Sequence, residues 1–327
     1  MKYGTIAGVD TPASRIVFGT AFGPMLSGEG DPSELLDHAV EAGINTFDCA
    51  KEYGHAQEQL GRWLERHGDR DRLVIETKGC HPAWGEGWDR SRVTKRDLDD
   101  DLAESLDQLR TPYIDVYLLH RDDPAVPAGE IVEWLNEHHR AGEIRAFGGS
   151  NWSPQRIQEA NDYAHEHGLV PFAVSSPNYS LAVQERNPWV GVSTTLGGPD
   201  HAEDRAWYRA NQMPVFAFSV LGRGFMSGLV HADDPDEAKA VLDGAAQTGF
   251  LSPGNFERLR RAEILAARLG ASVPQIAIAW ALNQGLNLFA LVSSSSNAII
   301  DGNVAATDIT LTAQESAWLD LEADEPA

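Results

Sequence analysis

A chain of 327 residues that is 42% hydrophobic and 23% charged can bury a sizeable core, which excludes a disordered or collagen-like protein. With 26 basic against 49 acidic side chains the formal charge is −23, a surface that repels phosphate backbones and anionic lipid and so excludes nucleic acid and membrane as partners. No apolar run approaches the ~18 residues that cross a bilayer, Met1-Lys2-Tyr3-Gly4 lacks a signal-peptide core, and Cys49 and Cys80 make no disulfide framework, so the expected setting is cytoplasmic.

In chain order, residues 1–14 read as a hairpin. Short apolar β-type runs follow at 16–20, 46–48, 73–77, 115–119, 146–150, 172–175, 214–218 and 288–293. Helices fill most of the intervals. Asp31 caps one with Pro32 at its first position; Leu35, Leu36, Ala39 and Val40 form its stripe and Gly43 ends it. Thr94 with Asp97 resembles a capping box ahead of Leu98, Leu102, Leu106 and Leu109. Ser153-Pro154 opens another helix that closes at Gly168, and 312–327 reads as an acidic tail. Strands alternating with helices argue for a parallel sheet, because parallel neighbours need a crossover, and eight strands close a (β/α)8 barrel. The alternative, an open doubly wound sheet, wants a Gly-rich fingerprint that Gly19-Thr20-Ala21-Phe22-Gly23 does not supply. With no linker in view, the expected architecture is one domain over 1–327: a TIM barrel, its bottom closed by the N-terminal hairpin, with extra C-terminal helices.

Barrel chemistry sits at the C-terminal ends of the strands. The second strand ends in Asp48, with Tyr53 just beyond it; the third ends Glu76-Thr77-Lys78, the fourth Leu119-His120, and the fifth Gly149-Ser150-Asn151. Asp48, Tyr53, Lys78 and His120 can make an acid. A phenol with pKa ~10 donates poorly at neutral pH, and a cation beside it lowers that value. Lys78 is the cation, Asp48 holds it charged and oriented, and His120 aims a second hydrogen bond at a carbonyl, so that Tyr53 protonates the developing alkoxide while another group delivers hydride. Cys80 shares the side-chain parity of Lys78 while Cys49 opposes that of Asp48, so the two thiols should face apart. His81 beside Cys80 offers too few ligands for a metal.

Phe47-Asp48-x-Ala50-x-x-Tyr53-Gly54, Thr77-Lys78, Leu118-Leu119-His120 and Gly149-Ser150-Asn151 together resemble the motifs of the aldo-keto reductases, in order and in spacing, from about residue 2 to about residue 315. The resemblance implies reduction of an aldehyde or ketone by NAD(P)H, or the reverse, with Asp48, Tyr53, Lys78 and His120 as the tetrad. It also implies that Ser150 and Asn151 bond the nicotinamide carboxamide. Ser176 stands where the family usually has a carboxamide-contacting Gln, and Phe218 where it usually has a stacking Tyr. The backbone of Ser219, Leu221 and Gly222 would meet the pyrophosphate, and Arg223 either touches it or is solvated.

Near the C-terminus, Asn303 matches the family's adenine-contacting Asn. Ser293 and Ile299 fall where NADP-specific relatives carry cations that grip the 2′-phosphate. The hydroxyls of Ser294 and Ser296 bond a ribose hydroxyl or a phosphate equally well, so NADH is expected to serve at least comparably to NADPH. Trp84 and Trp88 after the third strand, with Arg121 and Trp152, suit a polar, sugar-like carbonyl or alcohol substrate; the same tryptophans also suit a simple cover for the barrel. Two other readings stay open: a cofactor-holding redox sensor or regulatory subunit, and a barrel enzyme using Lys78 as a Schiff-base nucleophile.

Overall fold

In the computed structural model, which describes residues 1–82, 90–189 and 193–326, the hairpin consists of β1 (Tyr3–Ile6) and β2 (Val9–Ser14), paired antiparallel across Gly8 at φ +86°. Then come β3 (Ile16–Gly19), β4 (Thr46–Asp48), β5 (Val74–Gly79), β6 (Ile114–Leu119), β7 (Ile144–Ser150), β8 (Val174–Ser176), β9 (Val215–Ala217) and β10 (Leu288–Val292). These eight are all parallel and close a barrel in the order β10-β3-β4-β5-β6-β7-β8-β9. They are the eight expected runs, so the fold is a (β/α)8 barrel and the open sheet is set aside.

A period of two along each strand sorts the core into two layers. Val17, Val74, Val116, Leu118, Ala146, Val174, Phe216, Phe289 and Leu291 face inward and are joined from below by Ile6, Val9 and Ala13 of the hairpin. Their neighbours, among them Phe18, Phe47, Ile75, Tyr117, Leu119 and Phe147, face outward against the helices. The hairpin plugs the end where strands begin: Ser14 N donates to Asn45 Oδ1 at 2.8 Å, ahead of β4, and a Cβ at Gly8 would stand 2.7 Å from Arg145 O. The open end is therefore the C-terminal one. At the closing seam, β10 pairs with β3, and Arg15 Nη1 donates to Asn287 Oδ1 at 2.7 Å and Leu288 O at 3.0 Å.

Helix ends follow the expected chemistry with two corrections. Thr94 Oγ1 accepts from Asp97 N at 3.1 Å and Ser153 Oγ from Arg156 N at 3.2 Å, as cap residues should. The helix Ser33–Glu41 starts later than expected: Pro32 is its cap, and Asp31 accepts from Ser33 N one position earlier. Residues 312–327 are also more than a tail. Thr312 and Glu315 form a reciprocal capping box, the helix Ala313–Leu319 buries Trp318 and Leu319, and Arg268 Nη2 bonds Glu315 at 2.7 Å. The acidic composition masked that signal.

Where the helix Ala56–His67 crosses the end of Lys95–Gln108, Gly61 permits contact that no side chain fits: a Cβ there would lie 2.0 Å from Gln108 O, a backbone atom. In an exposed helix, Gly to Ala stabilises by roughly 0.5–1 kcal/mol. Gly61→Ala should do the opposite and cost about 1–3 kcal/mol, since overpacking here has to move backbone. Urea unfolding of the two proteins checks the sign; a more stable variant would refute the close packing.

Candidate active site

The same alternation carries polar residues to the open mouth. Glu76 and Lys78 continue the inward row of Val74, His120 that of Val116 and Leu118, Ser150 that of Ala146, Ser176 that of Val174, and Phe218 that of Phe216. Asp48, Tyr53, Lys78, His120, Ser150, Asn151, Ser176 and Phe218 all line one cavity of about 680 Å³.

Lys78 is 2% exposed, and three neighbours replace its water. Its Nζ donates to Asp48 Oδ1, to Cys49 O at 3.0 Å, and to Glu76 Oε2 at 3.2 Å, while Glu76 Oε1 lies 3.0 Å away. Burial alone would discharge the amine, but the groups around it, the Asp48 carboxylate first among them, outweigh burial and hold the ammonium well above its ordinary pKa. Two ionised carboxylates around one cation would leave net charge inside the barrel. The fully buried Glu76 resolves this: desolvation, reinforced by Asp48, raises its pKa well above the ordinary value and keeps its proton on. Asp48 and Glu76 stand side by side in the β4–β5 register.

Tyr53 sits in the turn after β4, where Gly54 at φ +54° lets the chain pass so close to Leu26 that a Cβ would lie 2.4 Å from its carbonyl oxygen. Lys78 Nζ is 5.4 Å from the Tyr53 ring centre, and the His120 ring meets Tyr53 edge-on at 5.8 Å. The expectation that Lys78 depresses the phenol pKa is corrected. The ammonium does pull that way, but burial is the larger effect and raises the phenol above its usual value. His120 is held neutral, well below the usual imidazole pKa, first by burial and then by the charges of Arg121 and Lys78; its Nδ1 is buried without a hydrogen-bond partner among the described residues. The His81 ring lies 4.6 Å from it, donates Nδ1–H to Pro82 O at 2.7 Å, and is pushed down to about 4 by burial and Arg121. No cluster of metal ligands occurs among the described residues.

Beyond this set the cavity runs past Ser219, Leu221 and Arg223 to Ser293. Ser219, Gly222, Arg223 and Gly224 all have positive φ, between +52° and +98°, so the backbone coils tightly at the rim. Arg223 is not solvated alone: Nε bonds both oxygens of Asp243, at 3.0 and 2.8 Å, and the guanidinium lies over Trp189 at 4.8 Å. Asn151, at φ +62°, donates to Ser150 Oγ at 3.1 Å, and Ser150 Oγ donates to Ser176 O at 3.1 Å. Ser176 Oγ is buried with no hydrogen-bond partner among the described residues. The hydroxyls near the C-terminus have structural partners as acceptors: Ser294 Oγ accepts from Asn303 at 3.0 Å, both buried, and Ser296 caps the helix Asn297–Ala305.

Two side-chain readings fail. Trp152 is no substrate contact: it is fully buried against Phe172 at 5.0 Å, because Asn151's left-handed backbone turns the next side chain into the outer core. Cys80 does not keep the parity of Lys78. Its φ of +61° breaks the alternation, and both free thiols join the outer core. Trp84 and Trp88 lie outside the described residues. Arg121 does line the cavity. Glu76 was missed as a site residue, although a carboxylate two positions before Lys78 on a β-strand had to share its face.

A sequence model described as the Aldo/keto reductase family matches residues 15–321. The chain is 28% identical to the L-glyceraldehyde 3-phosphate reductase of Escherichia coli O157:H7, over 98% of this chain and 91% of that protein. It is also 28% identical to the aldo-keto reductase YhdN of Bacillus subtilis (strain 168), over 87% and 82%. Among solved structures, the thermostable aldo-keto reductase Tm1743 shares the fold with a TM-score of 0.72 at 22% identity, covering 99% of this chain and 100% of that one.

Glu76 also has a signature in stability. Between the ordinary glutamate pKa of ~4.3 and its raised value in the fold, the native chain keeps a proton that the unfolded chain releases. Stability attached to this group is therefore full at low pH and falls as pH rises through that window. Glu76→Gln should remove that part of the slope. Urea midpoints at pH 5 and pH 8 measure it, and parallel losses in both proteins would mean that Glu76 is ionised.

Proposed function

The chain belongs to the aldo/keto reductase family, and on that premise we propose that it reduces the carbonyl of an aldehyde or ketone to an alcohol, or runs the reverse, with a nicotinamide nucleotide as redox partner. The observation that carries this reading is the meeting of Tyr53, Lys78, Asp48 and His120 on one wall of the cavity. Such a nucleotide fits the residues present. Phe218 offers a ring face, Ser176 a buried hydroxyl without a partner among the described residues, and the coiled 219–224 backbone a rim. Ser150, Asn151 and Ser176 would hold the carboxamide and Ser219, Leu221, Gly222 and Arg223 the pyrophosphate, with Ser294, Ser296 and Asn303 toward the adenosine. Bound there, the reduced nicotinamide supplies a hydride to the carbonyl carbon.

The protein supplies the proton. Tyr53 keeps its proton because burial raises its pKa, and gives it up only as negative charge builds on the carbonyl oxygen. Lys78, kept charged by Asp48, stabilises the phenolate left behind. Neutral His120 donates a ring N–H to the same oxygen. A Lys78 held this firmly as ammonium is a poor Schiff-base nucleophile, so the reductase reading is favoured over that alternative.

For the far end of the nucleotide, Ser293 and the 43%-exposed Ile299 offer no cation. This supports use of NADH at least comparably to NADPH.

Two measurements test the proposal. Tyr53→Phe should cut kcat at least about a hundredfold while leaving nucleotide affinity, read by fluorescence titration, nearly unchanged; near-normal turnover would sink the proton-donor role. Ile299→Arg should shift preference toward NADPH by about tenfold or more, the worth of a charge-assisted hydrogen bond. A native kcat/KM ratio favouring NADPH by more than about a hundredfold would point to a phosphate clamp elsewhere.

A further inference from the structure

The charged side chains lining the cavity are Asp48, Glu52, Lys78, Arg121, Arg223 and Asp243. Five are paired with opposite charge: Lys78 with Asp48, Arg223 with Asp243 at 2.8 Å, and Glu52 with Arg92 at 3.9 Å. Arg121 has none among the described residues, although acidic side chains outnumber basic ones 49 to 26 in this chain. Among the described residues its one hydrogen bond runs from Nη1 to the carbonyl oxygen of His120 at 3.0 Å. The carboxylate next in sequence is taken, since Asp122 receives Arg156 Nε at 3.3 Å. A guanidinium presents five N–H donors in a rigid fork, so most of Arg121's capacity remains free at the wall of the cavity.

Its position fixes what that fork can serve. Arg121 follows His120 directly and stands on the side of Tyr53 and His81, away from Ser293 and the far end of the cavity. Partly burying a cation without a partner costs free energy, recovered when an anion docks. Burial accordingly lowers the Arg121 pKa, and the two neighbouring imidazoles, both neutral, do not compete for the anion.

Resting on the carbonyl-reductase reading, we propose that Arg121 seats an anionic group of the substrate, so that the preferred substrates are carbonyl compounds bearing a carboxylate or a phosphate a few bonds from the reacting carbon. Both groups offer the paired oxygens that a guanidinium fork binds.

Steady-state kinetics with two matched pairs test this: succinic semialdehyde against butanal for the carboxylate, and glyceraldehyde 3-phosphate against glyceraldehyde for the phosphate. In the native protein one charged member should exceed its uncharged counterpart in kcat/KM. Arg121→Met should lower that ratio by at least about tenfold, mainly through KM, and Arg121→Lys should restore part of it. Which pair responds identifies the group. Titration calorimetry with succinate and with inorganic phosphate gives a reading independent of turnover, and Arg121→Met should abolish the binding. Anion binding that requires Arg121 in a protein that reduces none of the four would support the seat and overturn the reductase reading. Turnover of the aldehydes with charged-to-uncharged ratios unchanged in Arg121→Met would overturn the seat and leave the reductase reading standing.

Discussion

Lys78 carries its charge inside the barrel, and a buried ammonium persists only if neighbouring groups replace the water it has lost. Asp48, the carbonyl of Cys49 and Glu76 do so, and the rest of the mouth is arranged around that settlement. One carboxylate balances the cation, so the second must stay protonated. The balanced cation then lies close enough to the Tyr53 ring to favour phenolate only once the proton has a better destination. Burial, reinforced by the positive charges of Arg121 and Lys78, keeps His120 from protonating. Three groups with well-separated proton affinities stand within a few ångströms of one another because one of them could not be left unpaired.

Much of this was legible in the sequence because it rests on a period of two. Alternation identifies which residues of a parallel strand enter the barrel, so the strand ends and the placing of Asp48, Lys78, His120 and Ser150 follow from counting. Counting fails where the backbone leaves the extended region. Cys80 and Asn151 both have positive φ, and there the face of Cys80 and the destination of Trp152 are reversed. It fails also where a partner is far along the chain: nothing near Arg223 announces Asp243, and nothing near Glu76 announces that the β4–β5 register sets it beside Asp48. The helix Ala313–Leu319 was hidden differently, its capping box lying within a stretch whose acidic composition suggested a solvated tail.

Hydroxyl groups at the far end of the cavity show how local structure consumes apparent ligands. Ser294 is tied to Asn303, and Ser296 caps the start of the helix by accepting from Ile299 N. A serine-rich segment is thereby a structural joint as much as a binding surface. At the opposite end Arg121 shows the reverse case, a polar group without a counter-ion among the described residues of a molecule rich in carboxylates.

The seam between β10 and β3 has a bearing on how the protein is made. Arg15 and Asn287 bond across 272 residues of chain, so β3, among the first strands to leave a ribosome, waits for one of the last. At ~5–20 residues per second that interval is about 15–55 s, during which a strand reading Ile-Val-Phe-Gly has an unpaired edge. Vectorial synthesis therefore holds the nascent barrel open along one side, and a chaperone able to cover a single apolar edge would guard the step at which the ring is most exposed to its neighbours.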